Sequence, residues 1–133
     1  MITILRLGSP RQREEGLRLG TVRRPPRGVP KADFAKRDFY DVWLPNLSPT
    51  EPLLKQAQQA LHESPESEAR SWRTFERKFR SEMSHPDASR LLDLLAALSH
   101  QTNFSLGCYC ADENRCHRSI FRKLLAERGA ALR

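Results

Sequence analysis

The stretch from Phe104 to Arg128 constrains the fold most, because its hydrophobic pattern changes period partway along. Phe104, Leu106 and Cys108 alternate with Ser105, Gly107 and Tyr109, which predicts a strand running to Cys110. A polar loop follows, Ala111 to Arg115, and a helix is then expected from about Cys116 to Arg128. Ile120, Leu124 and Leu125 point inward along it, and Gly129 ends it. A strand joined through a short loop to an amphipathic helix is a building unit of α/β layering. Ile2 to Leu7, Leu17 to Arg23 and Phe39 to Leu44 also read as strands, the last closed by Pro45. Lys31 to Asp38 suits a short helix, and Arg24-Pro25-Pro26-Arg27-Gly28 interrupts regular structure.

Three further helices are expected. Ser48-Pro49-Thr50-Glu51 combines a capping serine, a proline for the first helical position and a capping-box glutamate. That helix runs to about Leu61 with Leu54, Ala57 and Leu61 on one face. His62 to Arg70 reads as an exposed connection, after which Trp72, Phe75, Phe79 and Met83 form a core-facing stripe. Pro86-Asp87 opens another helix with Leu91, Leu94, Leu95 and Leu98 as its buried seam. The expectation is one α/β domain over residues 1–133, with a small, mostly parallel sheet of three or four strands flanked by helices.

With 38% hydrophobic and 29% charged residues, the chain suits a modest globular core rather than disorder. No apolar run reaches the roughly 18 residues of a membrane span, and no secretory signal is visible at the N-terminus. Cytoplasm is the expected compartment. Of the net charge of +7, Met1 to Tyr40 carries most, with ten Lys/Arg against four Asp/Glu. This asymmetry suits an anionic small molecule or nucleic acid as partner, or else a solvated basic face.

Cys108, Cys110 and Cys116 are the only cysteines, which in a cytoplasmic chain suits chemistry or metal better than a disulfide framework. Their segment lies at the carboxyl end of a strand, where open α/β sheets bind ligands, and leads into a helix amino terminus that favours anions. It also gathers Arg115, His117, Arg118 and Ser119. Positive charge and a helix start lower a thiol's pKa, and Cys116 is best placed for that effect. His117 is the candidate proton carrier. Three readings stay open: an anion-binding catalytic pocket, a zinc site of Cys108, Cys110, Cys116 and His117, and a structural loop with packed thiols. The zinc reading lacks a common Cys-x2-Cys pair and makes adjacent residues share one ion. Counted from Cys108 or Cys110, the Cys-x5-Arg phosphatase spacing does not occur.

Gly20-Thr21-Val22-Arg23-Arg24-Pro25-Pro26-Arg27-Gly28-Val29-Pro30-Lys31, then Trp43 through Ser48-Pro49, then Trp72 to Met83 occur in an order that resembles domain-of-unknown-function family 488, in its YeaO-like branch. The last strand, loop and helix resemble a version of that family carrying Cys-Tyr-Cys and Cys-His-Arg-Ser. The resemblance spans nearly the whole chain. It implies an α/β fold and no particular reaction.

If Leu17 to Arg23 and Phe104 to Cys110 are parallel strands of one sheet, the loops after them open at the same edge. Arg23, Arg24 and Arg27 then face Arg115, His117 and Arg118 across a crevice suited to phosphate or carboxylate. Tyr40 and Trp43 are candidates for its lining, with the core the expected place for Trp43. His62, His85 and His100 fall in connections and receive no role. Two functions follow. One is an enzyme for a phosphorylated or other anionic substrate, with Cys116 and His117 catalytic and Arg23, Arg24, Arg27, Arg115, Arg118, Ser119 and Cys110 binding. The other is a nucleic-acid-binding, redox or zinc module without catalysis.

Overall fold

A computed structural model describes residues 1–60 and 62–133. Four parallel strands, β1 (Ile2–Arg6), β2 (Leu17–Gly20), β3 (Val42–Trp43) and β4 (Phe104–Cys108), lie in the order β1-β4-β2-β3. The last strand in sequence is therefore inserted between the first two. Its register sets Leu19 opposite Leu106 and Gly20 opposite Gly107 on one side, and Arg6 opposite Cys108 on the other. The chain has an α/β fold, with helices α1 (Glu51–Ala60), α2 (Pro65–Met83), α3 (Pro86–Leu98) and α4 (His117–Glu127).

The main core lies between one sheet face and the helices. Ile2, Ile4, Phe104 and Leu106 meet Leu53, Phe75, Phe79, Met83, Leu92, Leu95, Ile120, Phe121 and Leu125 there. The aromatic stripe of α2 is core as its spacing predicts, with Phe75 and Phe79 buried and Trp72 stacked on Phe75 at 5.0 Å.

Among the described residues the opposite sheet face is covered by loops rather than by an α-helix. Gly20 and Gly107 make its floor: a Cβ on Gly20 would lie 2.5 Å from the Tyr40 ring, and one on Gly107 would lie 2.5 Å from Leu7. This layer explains why Arg18 is fully buried although strand alternation pointed it outward. Its guanidinium is paired with the equally buried Glu15 and donates to the carbonyls of Asp38 and Pro10. Burial alone would raise the Glu15 carboxyl, but the bonds from Arg18 and from the Gln12 amide hold it below its ordinary pKa.

Several boundaries differ from expectation for local reasons. Helix α1 starts at Glu51, so Ser48 and Pro49 lie outside it, and Leu53 and Ala60 are buried in place of the expected Leu54 face. Thr50 is instead tied to Glu82 on α2, through its amide at 3.1 Å and its hydroxyl at 2.6 Å. Leu61 lies outside the described residues. Helix α2 begins within the segment expected to be a connection, because Ser64 caps the Ser67 amide and Pro65 occupies the first position. On α3, Leu94 and Leu98 face outward, and the seam is Ala88, Leu92, Leu95 and Ala96. The Lys31 helix is only a 3-10 turn, Lys31–Asp33. β3 has two residues, and Trp43 is not core: it is 43% exposed at the sheet edge and donates Nε1 to the Val22 carbonyl at 2.7 Å. Among the described residues, no helix is long and apolar enough to cross a membrane.

Candidate functional site

Strand β4 ends at Cys108, so Tyr109 and Cys110 already belong to the loop, and a 3-10 turn (Glu113–Arg115) brings the chain back to Cys116 at the start of α4. This return closes the three cysteines into one cluster. Cys108 and Cys116 are buried with sulfurs 2.7 Å apart, while Cys110 is exposed. All three sulfurs lie within 4.8 Å of one another, a set that could hold a metal ion.

The neighbouring strand supplies the next contacts. The Thr21 amide and hydroxyl both donate to the Gly107 carbonyl, at 2.9 and 3.0 Å. The Thr21 carbonyl accepts from His117 Nε2 at 2.9 Å. A carbonyl cannot donate, so Nε2 carries the proton and Nδ1 presents a lone pair, 3.6 Å from Cys116 Sγ. His117 is also wedged edge-on against Phe79 and Phe121. Burial lowers its pKa to about 4, against a smaller upward effect of the Thr21 carbonyl, so the ring is neutral at pH 7. Among the described residues the donor atoms within 4.8 Å of one another are the three sulfurs; His117, the expected fourth zinc ligand, is not in that set, and its Nδ1 lone pair faces Cys116.

Arg118 is 3% exposed, donates to the Cys110 carbonyl at 2.6 Å, and leaves its Nε without a partner. It has no carboxylate ion pair among the described residues, unlike Arg24, Arg115 and Arg122 nearby. Burial opposes its charge, yet Cys108, Cys116 and, to a smaller extent, Glu113 hold its pKa above the ordinary value.

Within the cluster the expected order of acidity is reversed. Hydrogen bonds from Cys108 and then Cys116 lower the Cys110 thiol, helped by His117 and Arg118. Cys108, donating to Cys110 and buried, is raised. Cys116 is lowered by Cys108 but raised more by donating to Cys110 and by burial, and ends pushed up to about 11. These directions, with its exposure, favour Cys110 over the expected Cys116 as the more acidic thiol.

The loops after β2 and β4 do meet at one edge, where Tyr109 donates its hydroxyl to the Arg24 carbonyl at 3.0 Å. The expected ring of arginines is only partly there. Arg23 turns back to the carbonyls of Pro49 and Ser48, and Arg24 pairs with Glu51. Arg115 pairs with Glu68 and lies over the Trp72 ring. Ser119 donates to the Cys116 carbonyl inside its own first turn. Arg27 is exposed at the rim. Tyr40 is buried under Gly20 with its hydroxyl unpartnered. Sequence reasoning missed Arg6, whose Nε donates to the Tyr109 carbonyl at 3.2 Å, and Thr21, which orients His117. Arg6 was detectable in principle, since it ends a strand parallel to β4.

A family model described as the active DUF488-N3 subclade matches residues 2–129. The chain is a DUF488 protein. No curated protein and no solved structure matches it. The matched span of this DUF488 protein takes in all four strands, the three cysteines, His117 and Arg118.

Proposed function

We propose that this DUF488 protein is an enzyme for a phosphorylated or otherwise anionic substrate, with Cys110 as its reacting sulfur. One observation carries the reading: three thiols, only one of them exposed, lie within 4.8 Å of one another beside Arg118, a buried guanidinium bonded to the Cys110 carbonyl and without a carboxylate ion pair among the described residues. Arg118 is the fixed cation behind Cys110. Cys108 and Cys116 donate to its thiolate, and neutral His117 takes or returns a proton at Cys116. Along the sheet edge Cys110 sits between the end of β1, with Arg6, and the end of β2, with Arg24 and Arg27. These exposed guanidiniums suit the substrate's phosphate or carboxylate. The family model's description as an active subclade agrees with catalysis.

The test is turnover on a panel of nucleotides, sugar phosphates and short oligonucleotides with 5′ phosphates. Cys110→Ser should lose at least ~100-fold in kcat/KM, about 2.7 kcal/mol of transition-state stabilisation, with an unchanged melting temperature. Undiminished turnover in that variant removes Cys110 from the chemistry.

A second reading is favoured by the 4.8 Å spacing of the three sulfurs: a three-cysteine zinc site with its open position on the Cys110 side. Three thiolates around Zn²⁺ carry a net charge of −1, which Arg118 would balance. Zinc analysis separates the readings, with one equivalent per chain in wild type and none in Cys108→Ser expected from the second alone.

A further inference from the structure

We infer that Cys110, Cys116 and Cys108 form a thiol relay that reduces one equivalent of hydroperoxide and stores the oxidation as a buried Cys108–Cys116 disulfide. The inference deepens the reading of Cys110 as the reactive sulfur and adds a role for the two thiols behind it. Cys110 is the exposed member, so an oxidant meets it first. Both buried sulfurs lie within 4.8 Å of it, and their own separation is 2.7 Å.

The steps balance. The Cys110 thiolate attacks one peroxide oxygen and the O–O bond breaks. The other oxygen leaves as an alcohol, or as water from hydrogen peroxide, after taking a proton, and Cys110 becomes a sulfenic acid. The Cys116 sulfur attacks it, the S–O bond breaks, and hydroxide leaves as water with the thiol proton. Cys108 then attacks Cys116, the Cys110–Cys116 bond breaks, and Cys110 departs as a thiolate while the Cys108 proton passes to solvent. In sum, one peroxide and two thiols give one alcohol, one water and one disulfide. A dithiol reductant reverses the stored oxidation by the same exchange. The exposed sulfur is thereby spared irreversible conversion to sulfinic acid.

The experiment treats the reduced, purified protein with one equivalent of hydrogen peroxide. Thiol titration should fall from three per chain to one, with no covalent dimer. Trypsin cuts after Arg90, Arg115 and Arg118, so the tripeptide Cys116-His117-Arg118 should appear joined to Leu91–Arg115 until reduced. Cleavage after Tyr109 should then assign the bridge to Cys108 and leave Cys110 free for alkylation. Cys110→Ser should consume peroxide at least ~10-fold more slowly, and Cys108→Ser should stop at a Cys110–Cys116 bridge. Three intact thiols, sulfinic acid at Cys110 beside intact Cys108 and Cys116, bridged dimers, or equal rates in Cys110→Ser overturn the relay. Turnover of the reduced protein on the substrate panel is read separately. Loss of the relay with retained turnover rejects this inference alone, and a working relay with no turnover rejects only the enzymatic reading.

Discussion

Replacing Arg118 by methionine removes the fixed cation behind Cys110 while keeping a straight side chain of good helix propensity on α4. In the native site the guanidinium is buried, bonded to the Cys110 carbonyl, and without a carboxylate ion pair among the described residues. A nearby opposite charge lowers an acid's pKa by about 1–3 units, and because Arg118 acts on Cys110 less than Cys108 and Cys116 do, its loss should raise that thiol by about 1 unit. The assay is the rate of iodoacetamide alkylation against pH, read by mass spectrometry at Cys110, the one exposed thiol. Because the native thiol is lowered, wild-type reactivity should stay flat as pH falls through about 8.5 and drop only well below it. The Arg118→Met profile should bend about 1 unit higher, and below both bends its rate should be roughly 10-fold lower. Arg118→Lys restores the charge without the planar fork and should recover part of the shift. A wild-type bend near 8.5, or coincident wild-type and Arg118→Met profiles, would refute the account of a shared thiolate held by Arg118.

Other perturbations test the frame around the site. His117 is neutral in the fold down to about pH 4, whereas the unfolded chain takes up that proton near 6.5. Its contribution is therefore complete above 6.5 and lost as pH falls, roughly 3 kcal/mol by pH 4. His117→Gln, which keeps a donor for Thr21, should flatten this part of the stability profile in urea titrations, and an unchanged slope would contradict it. Glu15→Gln leaves the Arg18 guanidinium buried and unpaired, and should cost about 3–5 kcal/mol in denaturant midpoint experiments. A loss below about 1 kcal/mol would mean that the loop layer opens to water. Gly20→Ala drives a methyl into the Tyr40 ring and should cost about 1–3 kcal/mol with secondary structure retained by circular dichroism.

The parts of this DUF488 protein that could be read from sequence are those where one face of an element decides its pattern. Strand β4 and helix α4 alternate cleanly because one side of each meets the main core. The strand–helix order pointed to a mostly parallel sheet, and the pairing of β2 with β4, a condition in the sequence reading, is present and brings the two loops to one edge. Arg18 was illegible for the opposite reason. Alternation assumes that the second sheet face is solvent, whereas here loops cover it, and the partner that makes burial tolerable, Glu15, stands outside any strand. Trp43 looked like core by composition but lies on a two-residue edge strand, with too little sheet beside it to bury an indole. The choice among the cysteines was likewise beyond local pattern. It depends on β4 ending at Cys108, which leaves Cys110 outside the sheet, and on a 3-10 turn that returns Cys116 beneath it.

A single strand register underlies the chemistry. Gly20 pairs with Gly107, so the next residue, Thr21, meets the Gly107 carbonyl with both its amide and its hydroxyl. That fixes the Thr21 carbonyl, which fixes the proton on His117 Nε2 and turns Nδ1 toward Cys116. Slipping β2 by one residue would exchange its two faces, putting Arg18 into the apolar core and a neighbouring side chain in place of Thr21. The two glycines permit this register because a Cβ at position 20 would collide with Tyr40 and one at position 107 with Leu7. The buried Arg18–Glu15 pair reinforces it from below, since it is satisfied only when Arg18 faces the loops. The loop layer thus sets the position of the imidazole that faces the thiols.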